Sequence, residues 1–313
     1  QNTTDGNDSI VTQSFSPTKE GAASTKTPYL KNTAEPTIDP NLPSGMIVIP
    51  SGRYEMGSSE EEANWHLRFC NRFDNCNIVD YKDLMPRHAV FIDTFYLDIH
   101  EVTNAEYRKC VEAGECRPPN RAAIEKFLAS DYAENQRYDS YPVVGVIWED
   151  ANDYCAWMGK RLPTEAEWER AARGEKGWLY PWGPGGGQAS TSSVLKGSLI
   201  LTNYCDSSCP IDRWKDTSYN DGWIGPAPVM SFPPGSYGTY EMAGNVIEWV
   251  QDYYSATYYA NSPENNPVNT TYSDTRVTRG GGWNNGLYHI TAAYRRAAAF
   301  NKPSAYVGFR CAQ

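Results

Sequence analysis

Gly159-Lys160-Arg161-Leu162-Pro163-Thr164-Glu165-Ala166-Glu167-Trp168-Glu169 constrains the fold more than any other stretch of this chain. Gly159 ends a helix predicted from Trp148 to Met158, because glycine tolerates the backbone reversal that closes a helix. Pro163 and Thr164 open the next helix. Proline loses nothing where an amide has no helical partner, and Thr164 with Glu167 makes a capping box. Trp168 then falls on the apolar face. Arg161 lies between the helices after a turn, and Arg310 also follows a turn, so either guanidinium can clamp a carboxylate bidentately. Glu165, Glu167 and Glu169 are the candidate partners, in scaffold ion pairs.

Upstream, Met46-Ile47-Val48-Ile49-Pro50 and Tyr54-Glu55-Met56-Gly57 read as a strand pair with a tight turn at Gly52. Residues 58–85 read as an insertion. Ala89 to Leu97 reads as one further strand, and Thr103 caps a helix from Asn104 to about Ala113. After Arg173-Gly174 there are few periodic stretches until Val246 to Val250, and short strands with glycine-rich turns then run to Cys311. The expected class is α+β, irregular and loop-rich, without internal repeats or a second domain. Residues 1–44, rich in Thr, Ser, Asn and Pro, read as a polar tail or linker, and residues 45–313 as the folded domain. Asn2, Asn7 and Asn269 open N-x-[ST] sequons.

The composition limits function. The 313 residues carry 28 Lys+Arg against 38 Asp+Glu, a formal charge of -10, which argues against a phosphate-backbone binder that must displace counterions. No apolar run approaches the roughly 18 to 20 residues needed to cross a bilayer. Mean hydropathy is -0.62 although 40% of residues are hydrophobic, so aromatic rings with polar tips must fill much of the core. The cysteine count, eight, is even. Cys70/Cys76, Cys110/Cys116 and Cys205/Cys209 are close in sequence, leaving Cys155 and Cys311. Eight cysteines allow about a hundred pairings, so spacing alone does not settle connectivity. Disulfides are expected over zinc, since no Cys-x2-Cys pair occurs and there are four histidines. Disulfides imply an oxidising compartment, and a start at Gln1 fits a mature chain after signal-peptide removal.

Several segments together resemble the formylglycine-generating enzyme (sulfatase-modifying factor) family, whose fold is a variant of the C-type lectin fold. They are Ile47–Gly57, Phe95–Tyr107 with Glu101-Val102-Thr103-Asn104, Trp148–Gly174, Tyr180-Pro181-Trp182-Gly183, Tyr240–Trp249 with Gly244-Asn245-Val246, Arg279-Gly280-Gly281-Gly282-Trp283 and Gly308-Phe309-Arg310-Cys311. The motifs occur in family order over about residues 46–312. The resemblance implies a Cys155–Cys311 disulfide, which leaves the three local pairs for the remaining cysteines.

Enzymes of that family oxidise a substrate cysteine with molecular oxygen and Cu(I), held by two cysteines in the loop after the Arg-Gly-Gly motif. Thiolate is the soft ligand Cu(I) prefers. Here there is no cysteine between Cys209 and Cys311; the expected positions fall near Asn285 and Ile290, and a family serine falls at Gly282. No copper is expected, and formylglycine generation is not expected. The resemblance instead implies structural calcium at one or two sites. The first maps onto Asn203, Tyr204, Asp221 and Trp223, and the second onto Glu241, Gly244, Val246 and Glu248.

The resulting expectation is an exported, periplasmic, cell-surface or extracellular module of recognition or assembly, without catalysis. Trp283, Asn284, Asn285, Tyr288, His289, Tyr294 and Arg295 would bind a protein, peptide or glycan, combining rigid aromatics with adaptable amides. The polar tail would engage an assembly partner. The alternative is an oxidoreductase of altered chemistry, as in natural-product or siderophore maturation, using His289, Glu248 or a tyrosine for proton transfer.

Overall fold

The computed structural model describes residues 44–71, 76–182 and 201–313. The expected tail, with the sequons at Asn2 and Asn7, lies outside the described residues, apart from position 44. The strands are β1 Met46–Ile49, β2 Gly52–Met56, β3 His88–Ile92, β4 Phe95–Asp98, β5 Ile247–Tyr253, β6 Thr275–Arg279, β7 Arg295–Ala299 and β8 Val307–Phe309. The helices are α1 Glu60–Cys70, α2 Asn104–Glu112, the single turn α3 Arg121–Ile124, α4 Trp148–Trp157 and α5 Glu165–Arg173.

The helix starts follow their capping residues. Thr103 caps α2 and Thr164 caps α5, each through a complete capping box with a glutamate three residues on, Glu106 and Glu167. Gly159 follows α4 with φ +70°, the left-handed backbone its sequence position anticipates. The strand pairing differs from expectation. β1 and β2 do not pair with each other: β1 runs antiparallel to β4, and β2 antiparallel to β3. The stretch read as one strand from Ala89 to Leu97 breaks at Asp93-Thr94 into β3 and β4, which is what lets its halves serve two small sheets. A four-stranded sheet in the order β7-β6-β5-β8 completes the architecture, with β8 parallel to β5.

Helix α5 packs on this framework through Trp168, fully buried with Ile49, Val90, Leu97, Val250 and Val277. Burying an aromatic of this size contributes on the order of 3 kcal/mol. A second cluster joins α2 and α4 to β5 and β8 through Tyr107, Tyr154, Trp249 and Phe309. Cys155 on α4 reaches Cys311 beyond β8, and Cys70–Cys76, Cys110–Cys116 and Cys205–Cys209 close locally. All eight cysteines of the sequence are therefore disulfide-bonded. Among the described residues no helix is long and apolar enough to cross a membrane.

The third sequon is structural. Asn269 is buried; its Nδ2 donates to the Tyr253 carbonyl at 2.8 Å and its Oδ1 accepts from the Thr271 amide at 3.1 Å. An amide engaged at both ends inside a turn is not presented for glycosylation. The neighbouring Asp252 carboxylate accepts from the amides of Asn269 and Glu165, each at 2.7 Å. Burial, reinforced by the Glu165 carboxylate, pushes Asp252 from its ordinary 3.8 up to about 7. The folded chain thus keeps a proton that the unfolded chain releases. Its stabilising effect is complete below about pH 4 and is lost as pH rises towards 7. Asp252→Asn should flatten the pH dependence of the urea midpoint across that window, and an unaltered slope would contradict the assignment.

Candidate functional site

Beneath the glycine-rich segment at the end of β6 lies a buried lattice of charge. Glu165 and Glu169, one turn apart on α5, face three arginines from different parts of the chain. Glu165 binds Arg295 (Nε–Oε1 2.7 Å, Nη2–Oε2 2.8 Å) and Arg279 (3.0 Å). Glu169 binds Arg279 (2.6 Å) and Arg173 (2.6 Å), and accepts from the Gly57 amide at 2.8 Å. All five side chains are at most 1% exposed. Burial alone would raise the Glu169 carboxyl, but Arg279 and Arg173 outweigh it and hold it below the usual range. The expected pairing is therefore corrected in part. Arg161 does clamp Glu167 through two bonds of 2.6 Å, but Arg310 is taken by Glu248 (2.8 Å twice), not by Glu165 or Glu169.

The loop from Gly280 to Tyr294 rests on this lattice. Gly281 has φ +64°, and a Cβ there would lie 2.7 Å from the His289 carbonyl, so the loop can close only through glycine. The structure sorts the expected ligand-binding residues into two groups. Trp283, Asn284, Asn285, Tyr288 and Arg295 are buried, and His289 and Tyr294 are half-buried. Trp283 packs with Ile124, Tyr132, Val144 and Val246, while Arg295 is held by Glu165. These two are core and lattice residues, and a ligand arriving from solvent would meet His289 and Tyr294 first. The His289 ring lies 4.9 Å from Tyr294 and 5.2 Å from Trp214. Asn285 and Ile290, where the resemblance placed the copper thiols, are buried, and Asn285 Oδ1 accepts from the Gly282 amide at 3.1 Å.

One support of this loop escaped the sequence reading. Residues 58–85, expected as an insertion, carry α1, and its His66 is fully buried against the loop. His66 Nδ1 lies 2.9 Å from the Tyr288 carbonyl and Nε2 lies 3.3 Å from Thr291 Oγ1. Burial pushes His66 down to about 4, so it is a neutral strut at ordinary pH. Ser59 before three glutamates, Glu60 to Glu62, was the available signal for this helix start.

The positions expected to hold calcium fall into two differently built places. In the first, Asn203 Nδ2 donates to the Gly225 carbonyl (2.9 Å) and Asp221 Oδ1 accepts from the Trp223 amide (2.8 Å). That leaves Asn203 Oδ1 and Asp221 Oδ2 buried without a partner among the described residues. Two orphaned oxygens suit a hard cation. The Tyr204 hydroxyl donates to Asp216 (3.0 Å), so Tyr204 and Trp223 could offer only backbone carbonyls. In the second place the carboxylates are already engaged. Glu241 accepts from the Met230 and Phe232 amides, and Glu248 from Arg310 and the Trp168 indole. Gly244, between them, is closed against Asn203, where a Cβ would sit 2.2 Å from the carbonyl. The Val246 amide donates to Glu101 (3.4 Å). The first set fits calcium; the second presents no orphaned side-chain oxygen. Among the described residues no three His, Cys, Asp or Glu side chains converge as a metal-binding group, so amide and carbonyl oxygens would have to complete any coordination shell.

Comparison with known proteins bears on this scaffold directly. The family model described as "Sulfatase-modifying factor enzyme 1-like domain" matches residues 32–313. This chain belongs to that family. The sulfatase-modifying factor domain here is 32% identical to the formylglycine-generating enzyme of Streptomyces coelicolor, covering 88% of this chain and 91% of that one. It is 30% identical to the bovine "Inactive C-alpha-formylglycine-generating enzyme 2", covering 85% and 87%. Identity alone therefore does not separate active from inactive members. The chain is also 31% identical to the serine/threonine-protein kinase pkn1 of Chlamydia pneumoniae over 89% of its own length, but spans 39% of that protein. Among solved structures, PvdO from Pseudomonas aeruginosa superposes with a TM-score of 0.63 at 24% identity, covering 85% of this chain and 93% of that one, which bears on the fold alone. The fold is the α+β, C-type-lectin-like variant of the sulfatase-modifying factor family. Its glycine loop here carries amide, imidazole and phenol groups and no thiol.

Proposed function

We propose that this sulfatase-modifying factor domain is an exported, non-catalytic recognition or assembly module, stapled by disulfides and stabilised by calcium. One observation carries the reading: all eight cysteines are consumed in disulfides, so no thiolate remains to hold Cu(I) at the glycine loop. Four disulfides also suit an oxidising, extracytoplasmic location. The recognition surface centres on His289 and Tyr294, with a protein, peptide or glycan as ligand. Residues 1–44 serve as a tether or as a contact for an assembly partner.

The test pairs a chemical arm with a binding arm. Incubated with Cu(I), oxygen and a cysteine peptide from a sulfatase, the protein should form no aldehyde. Tyr294→Ala should abolish capture of the exported partners retained by wild type, with near-ultraviolet circular dichroism preserved. Aldehyde formation, or capture that survives the substitution, would overturn the proposal. A second reading, an oxidoreductase of altered chemistry, draws on the half-buried His289 in the loop where the family keeps its metal. It predicts oxygen uptake that His289→Ala stops.

Calcium would be held by Asn203 and Asp221 with backbone carbonyls, and would act structurally by removing two orphaned oxygens from the interior. Calcium at 100 times its Kd should stabilise the fold by about 2.7 kcal/mol, read as a rise in Tm. Asp221→Asn should remove most of that rise, and a variant that keeps it would place the ion elsewhere.

A further inference from the structure

We propose that a cleft of about 490 Å³ in the segment connecting β5 to β6 binds a neutral oligosaccharide at a site separate from the glycine loop. It is lined by tyrosines, Tyr254, Tyr258 and Tyr272, together with the small polar side chains of residues 255–273, and no charged side chain lines it. That lining fits one class of ligand. A neutral sugar presents flat C–H faces that pack on aromatic rings and hydroxyls that pair with uncharged amides and hydroxyls. Anionic or cationic ligands would find no countercharge there, and a wholly apolar ligand would strand the Ser, Thr and Asn groups.

Tyr272 is the residue that makes the cleft a platform. It is 68% exposed, an unusual position for a large aromatic with no structural role. It is nevertheless held in place. Its hydroxyl donates to Asp274 at 3.1 Å, and its ring lies 5.4 Å from Tyr253. Tyr253 covers the Arg276 guanidinium, 3.3 Å from the ring centroid, and the other face of that guanidinium lies 3.7 Å from the Trp148 centroid. Arg276 Nη1 is fixed in turn to the Gln251 carbonyl at 2.5 Å. Trp148, Arg276, Tyr253 and Tyr272 form a ladder that begins in the partly buried layer beside the core and ends in the cleft. An exposed ring fixed in this way loses little conformational freedom when a ligand stacks on it. Thr257, Asn261 and Thr271, which also line the cleft, are exposed hydrogen-bonding groups. Asn269 spends its own amide on the turn that shapes the wall.

The experiment is binding of the full chain to an array of neutral oligosaccharides, with sialylated and sulfated oligosaccharides on the same array, followed by titration of the best neutral probe. Retention of neutral probes is expected, with Kd raised at least tenfold by Tyr272→Ala. Because Tyr272 is exposed, that variant should fold normally. Thr271→Val should weaken binding several-fold while leaving the ladder in place. No retention of neutral probes, preference for the charged ones, or affinity unaffected by Tyr272→Ala would each overturn the site. The Tyr294→Ala variant should bind these sugars as wild type does, so failure here is distinguishable from failure of the glycine-loop surface. Loss of sugar binding in Tyr294→Ala would place the sugar at the glycine loop and also overturn the inference.

Discussion

Glu169→Ala is expected to destabilise the protein by about 3 to 5 kcal/mol, the range for breaking a buried ion pair by removing one partner. Glu169 is fully buried and answers two guanidinium groups, Arg173 and Arg279, as well as the Gly57 amide. Truncation leaves Arg279 with Glu165, which is already engaged by Arg295, and Arg173 with only the more distant Glu62 at 3.8 Å. The urea midpoint should fall accordingly, and the loop on Gly280 should loosen with it because Arg279 Nη2 also donates to the Ala292 carbonyl at 2.6 Å. Arg161→Ala makes the useful contrast. Its pair with Glu167 is also bidentate, but the arginine side chain is 41% exposed, and exposed pairs contribute about 0 to 1 kcal/mol. Equal losses for the two variants would refute the distinction between buried lattice and surface clamp.

Replacing both Cys155 and Cys311 by alanine is expected to cost about 5 kcal/mol. Their bridge closes a span of 156 residues, and the chain-entropy model scales stabilisation with the logarithm of loop length. The same model gives about 2 kcal/mol for Cys110–Cys116, which closes a span of 6. Denaturant unfolding of the two double variants should therefore rank them in that order. The long bridge also joins α4 to the end of the chain beside β8, so its loss should free the C-terminus first. That opening is measurable as faster hydrogen exchange at the Cys311 and Ala312 amides, which in the folded chain bond to Asp98 and to the Arg161 carbonyl.

What the sequence revealed, and what it concealed, follows from the range of the interactions. Helix starts were legible because a capping box is written within four residues: Thr164 with Glu167 sets α5, as Thr103 with Glu106 sets α2. Family order added the Cys155–Cys311 bridge, which no local spacing could suggest. Strand partners were not legible. β1 and β2 lie side by side in sequence yet pair with β4 and β3, because the break at Asp93-Thr94 is decided by tertiary packing. The partner of Arg310 was misread because tertiary packing, not spacing, assigns it: Glu248 on β5 takes it, while Glu165 and Glu169 of α5, farther away in sequence, are claimed by Arg279, Arg295 and Arg173. At the candidate site the aromatic and amide residue types are written in the sequence, but their burial is not. A Trp or Tyr carries the same letter whether it caps the core, as Trp283 does, or stands out from a ladder, as Tyr272 does.

The most direct measurement is the metal content of protein isolated without chelators from its oxidising compartment. A disulfide-closed, non-catalytic scaffold predicts calcium near one equivalent with neither copper nor iron at a stoichiometric level. Stoichiometric copper or iron would contradict that account and direct attention to His289 and its loop as a redox centre.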